Sequence, residues 1–586
     1  MKQFLITVAG VLVGLVLFLV IAPFAIVGMI SSSMHAQPAT PSAVVLSLDL
    51  RGAMTDQRNQ AGFGFGGSPA LLDTLARLDA AASDDKVKGI YVRASTAGMP
   101  AAQAEELRTA FAKFRRSGKF ILAHIQNDGV RMSMPGYVAV AGADELWLQG
   151  SSEFQPMGLS SEVTFFADSL RRYHAQAQFV TREEYKTAAA TFTDNSFTPA
   201  NREETMGLMN GLYDSMIADI AADRKITPQA ARAAIEATPY TAQHAVELHL
   251  IDKLGRPEEA ERAALERAHL QETALLDFDE YHPTLHHGGP VIAVVQGEGA
   301  IVSGPETHEL FNSDANMNSD VVSRALLDAS SDNDVKAIVF RVSSPGGSVV
   351  ASDQILAALR TAKSRGKRVI VSMGEVAASG GYYVSTEADE IVAEPTTITG
   401  SIGVLGGKLV IGGAMDYYLS SNTERLSVGS PYTSMFSSNT PFSPQEHAMF
   451  ESFIDRAYRE FIGLVANGRH MSVDQAHALA HGRVWTGQQA LERHLVDHLG
   501  GFDVAVERAR ALANIDSNAK IELRYFPQQK SPFAALSRFF GASADDAQAI
   551  ARFSAFVSDP RVQEAMTTIR EEDANVRARA PDMHVR

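Results

Sequence analysis

The sequence predicts an α/β protein in which two tandem copies of one α/β domain follow a single N-terminal transmembrane helix. Three observations predict this. Short apolar runs alternate with segments of helical spacing, the order that builds a parallel sheet covered by helices. The second half of the chain repeats the first in a fixed register. The N-terminus opens with a long uncharged stretch, and no second stretch of that kind follows.

From Phe4 to Ile30 no residue is charged. At about 1.5 Å per residue that run reaches roughly 40 Å as a helix, enough to cross a bilayer with tilt. A secretory signal has an apolar core of only about 7–15 residues, followed by a small-x-small cleavage site. The stretch Ser31–Ala36 matches such a site poorly. Residues 1–34 are therefore expected to be a retained anchor, with a cleaved signal as the alternative. Lys2 and the α-amino group precede the span, and no Lys or Arg follows until Arg51. That asymmetry predicts a cytoplasmic N-terminus and a large domain outside.

After a polar linker the first copy reads strand at Val44–Leu50, helix at Leu71–Leu78, strand at Val87–Val92, helix at Ala102–Phe114 and strand at Phe120–His124. The second copy reads Val291–Val295, Val321–Leu327, Val335–Val342, Ile355–Ala362 and Arg368–Ser372 in the same order. Arg93 falls on Arg341 and Gly118-Lys119 on Gly366-Lys367 at an offset of 248. After a three-residue slip the offset is 245: Ala143-Asp144-Glu145 matches Ala388-Asp389-Glu390, Phe197-Thr198-Pro199 matches Phe442-Ser443-Pro444, and His249–Gly255 matches His494–Gly500. The copies are expected at 43–270 and 290–510, joined near Tyr281–Gly289, with a partly helical tail at 520–586.

Composition narrows the chemistry. The formal net charge is −16 with no basic tract, which argues against nucleic acid as a partner. The chain has no cysteine, which excludes disulfides, thiolate catalysis, zinc–thiolate sites and iron–sulfur clusters.

The halves differ where chemistry would sit. The second has Ser343-Ser344-Pro345-Gly346-Gly347-Ser348 straight after its strand, where the first has Ala94-Ser95-Thr96-Ala97-Gly98-Met99. Paired glycines before a helix turn backbone N–H groups toward a ligand, as an oxyanion hole requires; a plain tight turn is the other reading. Ser379, in Ala377-Ala378-Ser379-Gly380-Gly381, suits a nucleophile on a sharp turn or, equally, a helix N-cap. Its counterpart is Met134. Lys186 stands opposite Pro431, so one half keeps a serine and the other a lysine. Complementary losses of this kind point to one site shared between the halves. A lysine serves as general base only when burial lowers its pKa by several units; a solvated surface lysine is the plain alternative. His249 and His494 recur in the repeat, which points to a structural role.

The runs Ser344–Gly347, Ala377–Tyr383 and Thr399-Gly400-Ser401-Ile402-Gly403-Val404 resemble the S49 family of serine peptidases. The anchor, the tandem repeat and Tyr185-Lys186 resemble its long, two-repeat form, over nearly the whole chain to about residue 510. The resemblance implies crotonase/Clp-protease-like domains, Ser379 as nucleophile and Lys186 as general base. It implies Gly346, Gly347 and Gly380 at the oxyanion hole, and Ser401 as the serine that orients the lysine. It implies no metal or other cofactor, apolar peptides such as remnant signal peptides as substrates, and a homotetramer on the periplasmic face of a bacterial inner membrane. The Ala- and Thr-rich stretch Thr187–Asn195 departs from the family: it has no proline, and its one acidic residue, Asp194, comes only eight positions after the lysine. Two other classes stand beside this one, a crotonase-type acyl-CoA enzyme and a non-catalytic membrane scaffold. The run Gly62–Gly67 resembles a dinucleotide loop only superficially, because it does not closely follow a strand.

Overall fold

Each half builds a parallel sheet, and the two sheets correspond strand by strand. In this computed structural model the described residues are 42–57, 69–94, 98–127, 132–283, 288–305 and 316–527. The segment 1–34 expected as an anchor, the run Gly62–Gly67 and the tail from residue 528 lie outside them. Among the described residues no helix is long and apolar enough to cross a membrane.

The first sheet runs, in spatial order, Lys253–Leu254, Glu145–Leu148, Phe120–Ile125, Val87–Arg93, Val44–Asp49 and Leu275–Asp277, all parallel. The second runs His498–Leu499, Glu390–Ala393, Arg368–Ala378, Val335–Ser344, Val291–Glu298 and Glu522–Phe526, again parallel. Both sheets thus reach past the sequence-read boundaries at 270 and 510. Their strands are apolar almost without interruption, because helices cover both faces. Val294, Val339 and Ile370 pack on one side, against Phe502 and Ala505, while Val295, Ile338 and Val371 pack on the other.

The repeat motifs have local physical causes. Thr198 and Ser443 are N-caps, each accepting the N–H three residues on, at 3.1 and 3.2 Å, with proline in the first turn. His249 and His494 have positive φ, and their carbonyls accept from Arg224 and Arg469 at 2.8 and 3.0 Å. Those arginines also pair with Asp252 and Asp497. Both histidines are therefore backbone turn residues.

One difference between the halves leads to the site. The strand Arg368–Ala378 is longer than its counterpart Phe120–Ile125, and its far end pairs with Ile398–Gly400, which pairs in turn with Val484–Thr486. In the first half the equivalent strands, Glu153–Phe154 and Tyr240–Thr241, pair with each other and, among the described residues, with no other strand.

Among the contacts that join the repeats, two are extensive. Gln176–Thr181 of the first pairs antiparallel with Leu405–Val410 of the second, and Arg182 N–H continues the ribbon to the Val404 carbonyl at 3.2 Å. Elsewhere Arg341, fully buried in the second repeat, donates through Nε to Asp56 at 2.9 Å and through Nη2 to Glu106 at 2.6 Å. Glu106 also accepts the Phe502 N–H at 2.9 Å. A buried arginine is tolerable only with its charge matched and its donors satisfied, so these carboxylates hold the two repeats in one relative position.

Candidate active site

The long strand Arg368–Ala378 runs directly into Ser379, whose φ of 54° and ψ of −117° are unusual for a residue with a side chain. Such conformations cost on the order of 1–3 kcal/mol and persist only where the surroundings impose them. Here the Ser379 N–H donates to the Gly400 carbonyl, and its own carbonyl accepts from Tyr383, both at 2.9 Å. Ser379 occupies the N-cap position of the short helix Gly380–Tyr383, but its side chain makes no capping hydrogen bond. The hydroxyl is directed elsewhere.

It meets Lys186. The cross-repeat ribbon ends at Arg182, and the turn after it brings Lys186 against the second repeat; Tyr185 N–H donates to the His481 carbonyl at 3.1 Å. Lys186 Nζ lies 3.1 Å from Ser379 Oγ, 2.9 Å from Ser401 Oγ and 3.0 Å from the Ser401 carbonyl. All three contacts lie within one chain, so the residues the duplication left in different halves converge in one molecule.

The lysine is 7% exposed. Burial lowers its pKa from 10.5 to about 8, while the Glu204 carboxylate pulls the other way. Two glycines of the second repeat make this burial possible. At Gly482, with φ of 76°, a Cβ would come within 2.8 Å of the Lys186 backbone and Cβ; at Gly403 it would press the lysine's Cδ at 3.1 Å. Neutral Lys186 has two N–H groups for the two Ser401 oxygens, which leaves its lone pair for the Ser379 hydroxyl.

Gly346 and Gly347 both have positive φ, and Gly346 is a necessity of packing: a Cβ there would stand 2.7 Å from the Gly380 nitrogen and 2.8 Å from Ser379 Cβ. One expectation changes. The Gly346 N–H donates back to Ser344 Oγ at 3.1 Å and is taken. Among the described residues no acceptor meets the N–H of Gly347 or Gly380. These two are neighbours, since a Cβ on Gly380 would stand 3.1 Å from the Gly347 nitrogen. At the equivalent helix of the first repeat, Met134–Val140, the described residues show no matching arrangement. There Ser133 is an ordinary N-cap, accepting from Gly136 at 3.2 Å.

Sequence reading missed Glu204 and Gly482, and gave Gly403 no role beyond its motif. Glu204 accepts from Val484 N–H at 2.8 Å and from Thr187 Oγ1 at 3.2 Å, and burial raises its pKa. A signal was present, because Glu204 stands opposite Met449 and Gly482 opposite Ala237 in the repeat register.

The model of peptidase family S49 matches residues 113–271 and 361–516, once in each repeat and over more than half of the chain. The chain belongs to peptidase family S49. Lys186 falls in the first match, and Ser379 and Ser401 in the second. Among relatives, the S49 chain is 32% identical over 460 residues to Protease 4 of Salmonella typhi, covering 76% of this chain and 72% of that one. It is 29% identical over 471 residues to Protease 4 of Haemophilus influenzae, covering 76% and 73%. Serine protease SPPA, chloroplastic, of Arabidopsis thaliana is 28% identical over 491 residues, covering 82% and 70%. A solved ClpP1 variant from Listeria monocytogenes aligns with 36% of this chain and 94% of its own at 17% identity, with a TM-score of 0.24, too low to bear on the site.

Proposed function

We propose that this S49 protein is a serine endopeptidase in which Ser379 is the nucleophile and Lys186 the general base. Its substrates are short apolar peptides, chiefly signal peptides already cleaved from their proteins. The observation that carries the reading is the buried lysine amine 3.1 Å from a strained serine hydroxyl.

Neutral Lys186 takes the proton as Ser379 Oγ attacks the peptide carbonyl. The N–H groups of Gly347 and Gly380 receive the developing oxyanion. Lys186 then protonates the leaving amine. Water, deprotonated by the same amine, attacks the ester carbonyl, and the serine leaves with the proton returned to it. Ser401 holds the lysine throughout. The crotonase-type alternative has no use for a serine–lysine pair, and a scaffold has no use for a strained serine.

The protein acts at the outer face of a bacterial inner membrane, held by residues 1–34, and assembles as a homotetramer. Assembly is supported by apolar side chains left in water, among them Ile411, Tyr417, Tyr418, Leu419 and Phe436. The test is cleavage of an apolar fluorogenic peptide by the full chain, by Ser379→Ala and by Lys186→Ala, alone and mixed. Both variants are expected to be inactive, and mixing them to restore nothing, because the pair closes within one chain. Wild-type activity in Lys186→Ala would end the dyad reading. A wild type that cleaves nothing would favour the scaffold.

A further inference from the structure

We propose that Glu183, His477 and His481 form a binding site for one divalent transition-metal ion of the zinc class, stapling the loop that carries Lys186 to the second repeat. Glu183 belongs to the first repeat and lies three residues before the lysine. His477 is on the helix Val473–Ala480, and His481 is the residue that ends it, directly before Gly482. The four-residue spacing brings both imidazoles to one side of the helix. Their rings stand 4.9 Å apart, and one ligand atom from each of the three residues lies within 4.8 Å of the others.

The two histidine–carboxylate distances are close to those of a metal site, with each histidine facing a different oxygen of Glu183. His477 Nε2 is 3.3 Å from Glu183 Oε1, and His481 Nδ1 is 3.4 Å from Glu183 Oε2. With Zn–N and Zn–O bonds of about 2.0–2.1 Å, neighbouring ligand atoms around a tetrahedral zinc stand about 3.3–3.4 Å apart. A good charge-assisted hydrogen bond is shorter, about 2.7–2.9 Å. Two imidazoles and one carboxylate are a donor set that favours zinc-like ions over calcium or magnesium.

Two further observations point the same way. Glu184 Oε2, 3.2 Å from His481 Nδ1, stands beside the set as a further oxygen. The His477 side chain is 47% exposed, so an ion can arrive from solvent.

The test is calorimetric titration of the chelator-treated full chain with Zn²⁺, and with Co²⁺ read by its visible absorption. One ion per chain is expected, with the intense bands of a tetrahedral cobalt centre and a rise in melting temperature. His477→Ala and Glu183→Gln are each expected to weaken binding at least about tenfold. The proposal is overturned if the wild type binds no stoichiometric ion, or if both variants bind as the wild type does. It is equally overturned if binding is lost instead in the double variant His286→Ala, His287→Ala of the linker, the other histidine-rich stretch of the sequence.

Discussion

Replacing Lys186 by methionine keeps the buried stem and removes the amine. At pH 7 an amine of pKa about 8 is neutral in about a tenth of molecules, and at pH 9 in about nine-tenths. An ordinary lysine would be neutral in only about 0.03% at pH 7, so burial raises the reactive fraction roughly 300-fold. In the wild type kcat/KM should therefore rise about tenfold per pH unit below 8 and level off above it. The same desolvation costs stability. The unfolded lysine, near 10.5, holds its proton more tightly than the folded one, near 8. Stability from this group is therefore lowest below pH 8, rises between 8 and 10.5, and is unaffected above that. The full penalty is at most about 3–4 kcal/mol, and methionine also leaves the Ser401 carbonyl without its donor, so a net gain of about 1–2 kcal/mol is expected at pH 7. Urea titrations of wild type and Lys186→Met at pH 7 and pH 10, with a pH–rate profile of the wild type, read both effects. A methionine variant less stable than wild type at pH 7, or a flat kcat/KM between pH 6 and 9, would refute a desolvated lysine.

Ser401→Ala removes an oxygen that accepts from the charged amine; the plateau of kcat/KM should fall about 10- to 100-fold and its midpoint move to lower pH, whereas a purely structural loss would leave the midpoint in place. Gly482→Ala sets a Cβ against the Lys186 backbone at a positive φ, so peptide cleavage should fall well beyond any change in melting temperature, and unchanged kcat would contradict the tight fit. Burial holds the Glu105 carboxyl above its usual range, and its Oε1 has no partner among the described residues. The folded state then binds a proton more tightly than the unfolded, so stability falls as pH rises from the ordinary carboxylate range toward neutral and beyond. Glu105→Gln should flatten that slope between pH 5 and 8 in urea titrations, and an unchanged slope would contradict it.

Much of this architecture was legible because duplication writes it twice. Strands such as Val87–Arg93 and Val335–Ser344 are recognisable as apolar runs, and the Thr198-Pro199 and Ser443-Pro444 caps mark the same helix start in each half. The losses at Met134 and Pro431 led to Ser379 and Lys186, because a difference between copies is visible without any structure. What stayed hidden depends on contacts across the repeats. The ribbon between Gln176–Thr181 and Leu405–Val410 joins two strands 229 residues apart with no pattern that pairs them. The Gly346 N–H turns toward Ser344 because of one local hydrogen bond, which no motif encodes. Glu183 meets His477 and His481 only after the halves have docked.

The central claim, that Lys186 activates Ser379 within one chain, is tested most directly by the rate at which a small serine-directed phosphonylating reagent modifies the protein, followed by intact mass and peptide mapping. The account predicts one adduct per chain, on Ser379, forming at a rate that rises with pH to a plateau above about 8 and is lost in Lys186→Met. Modification of Ser379 at an undiminished rate in Lys186→Met, or an adduct on another residue, would contradict it.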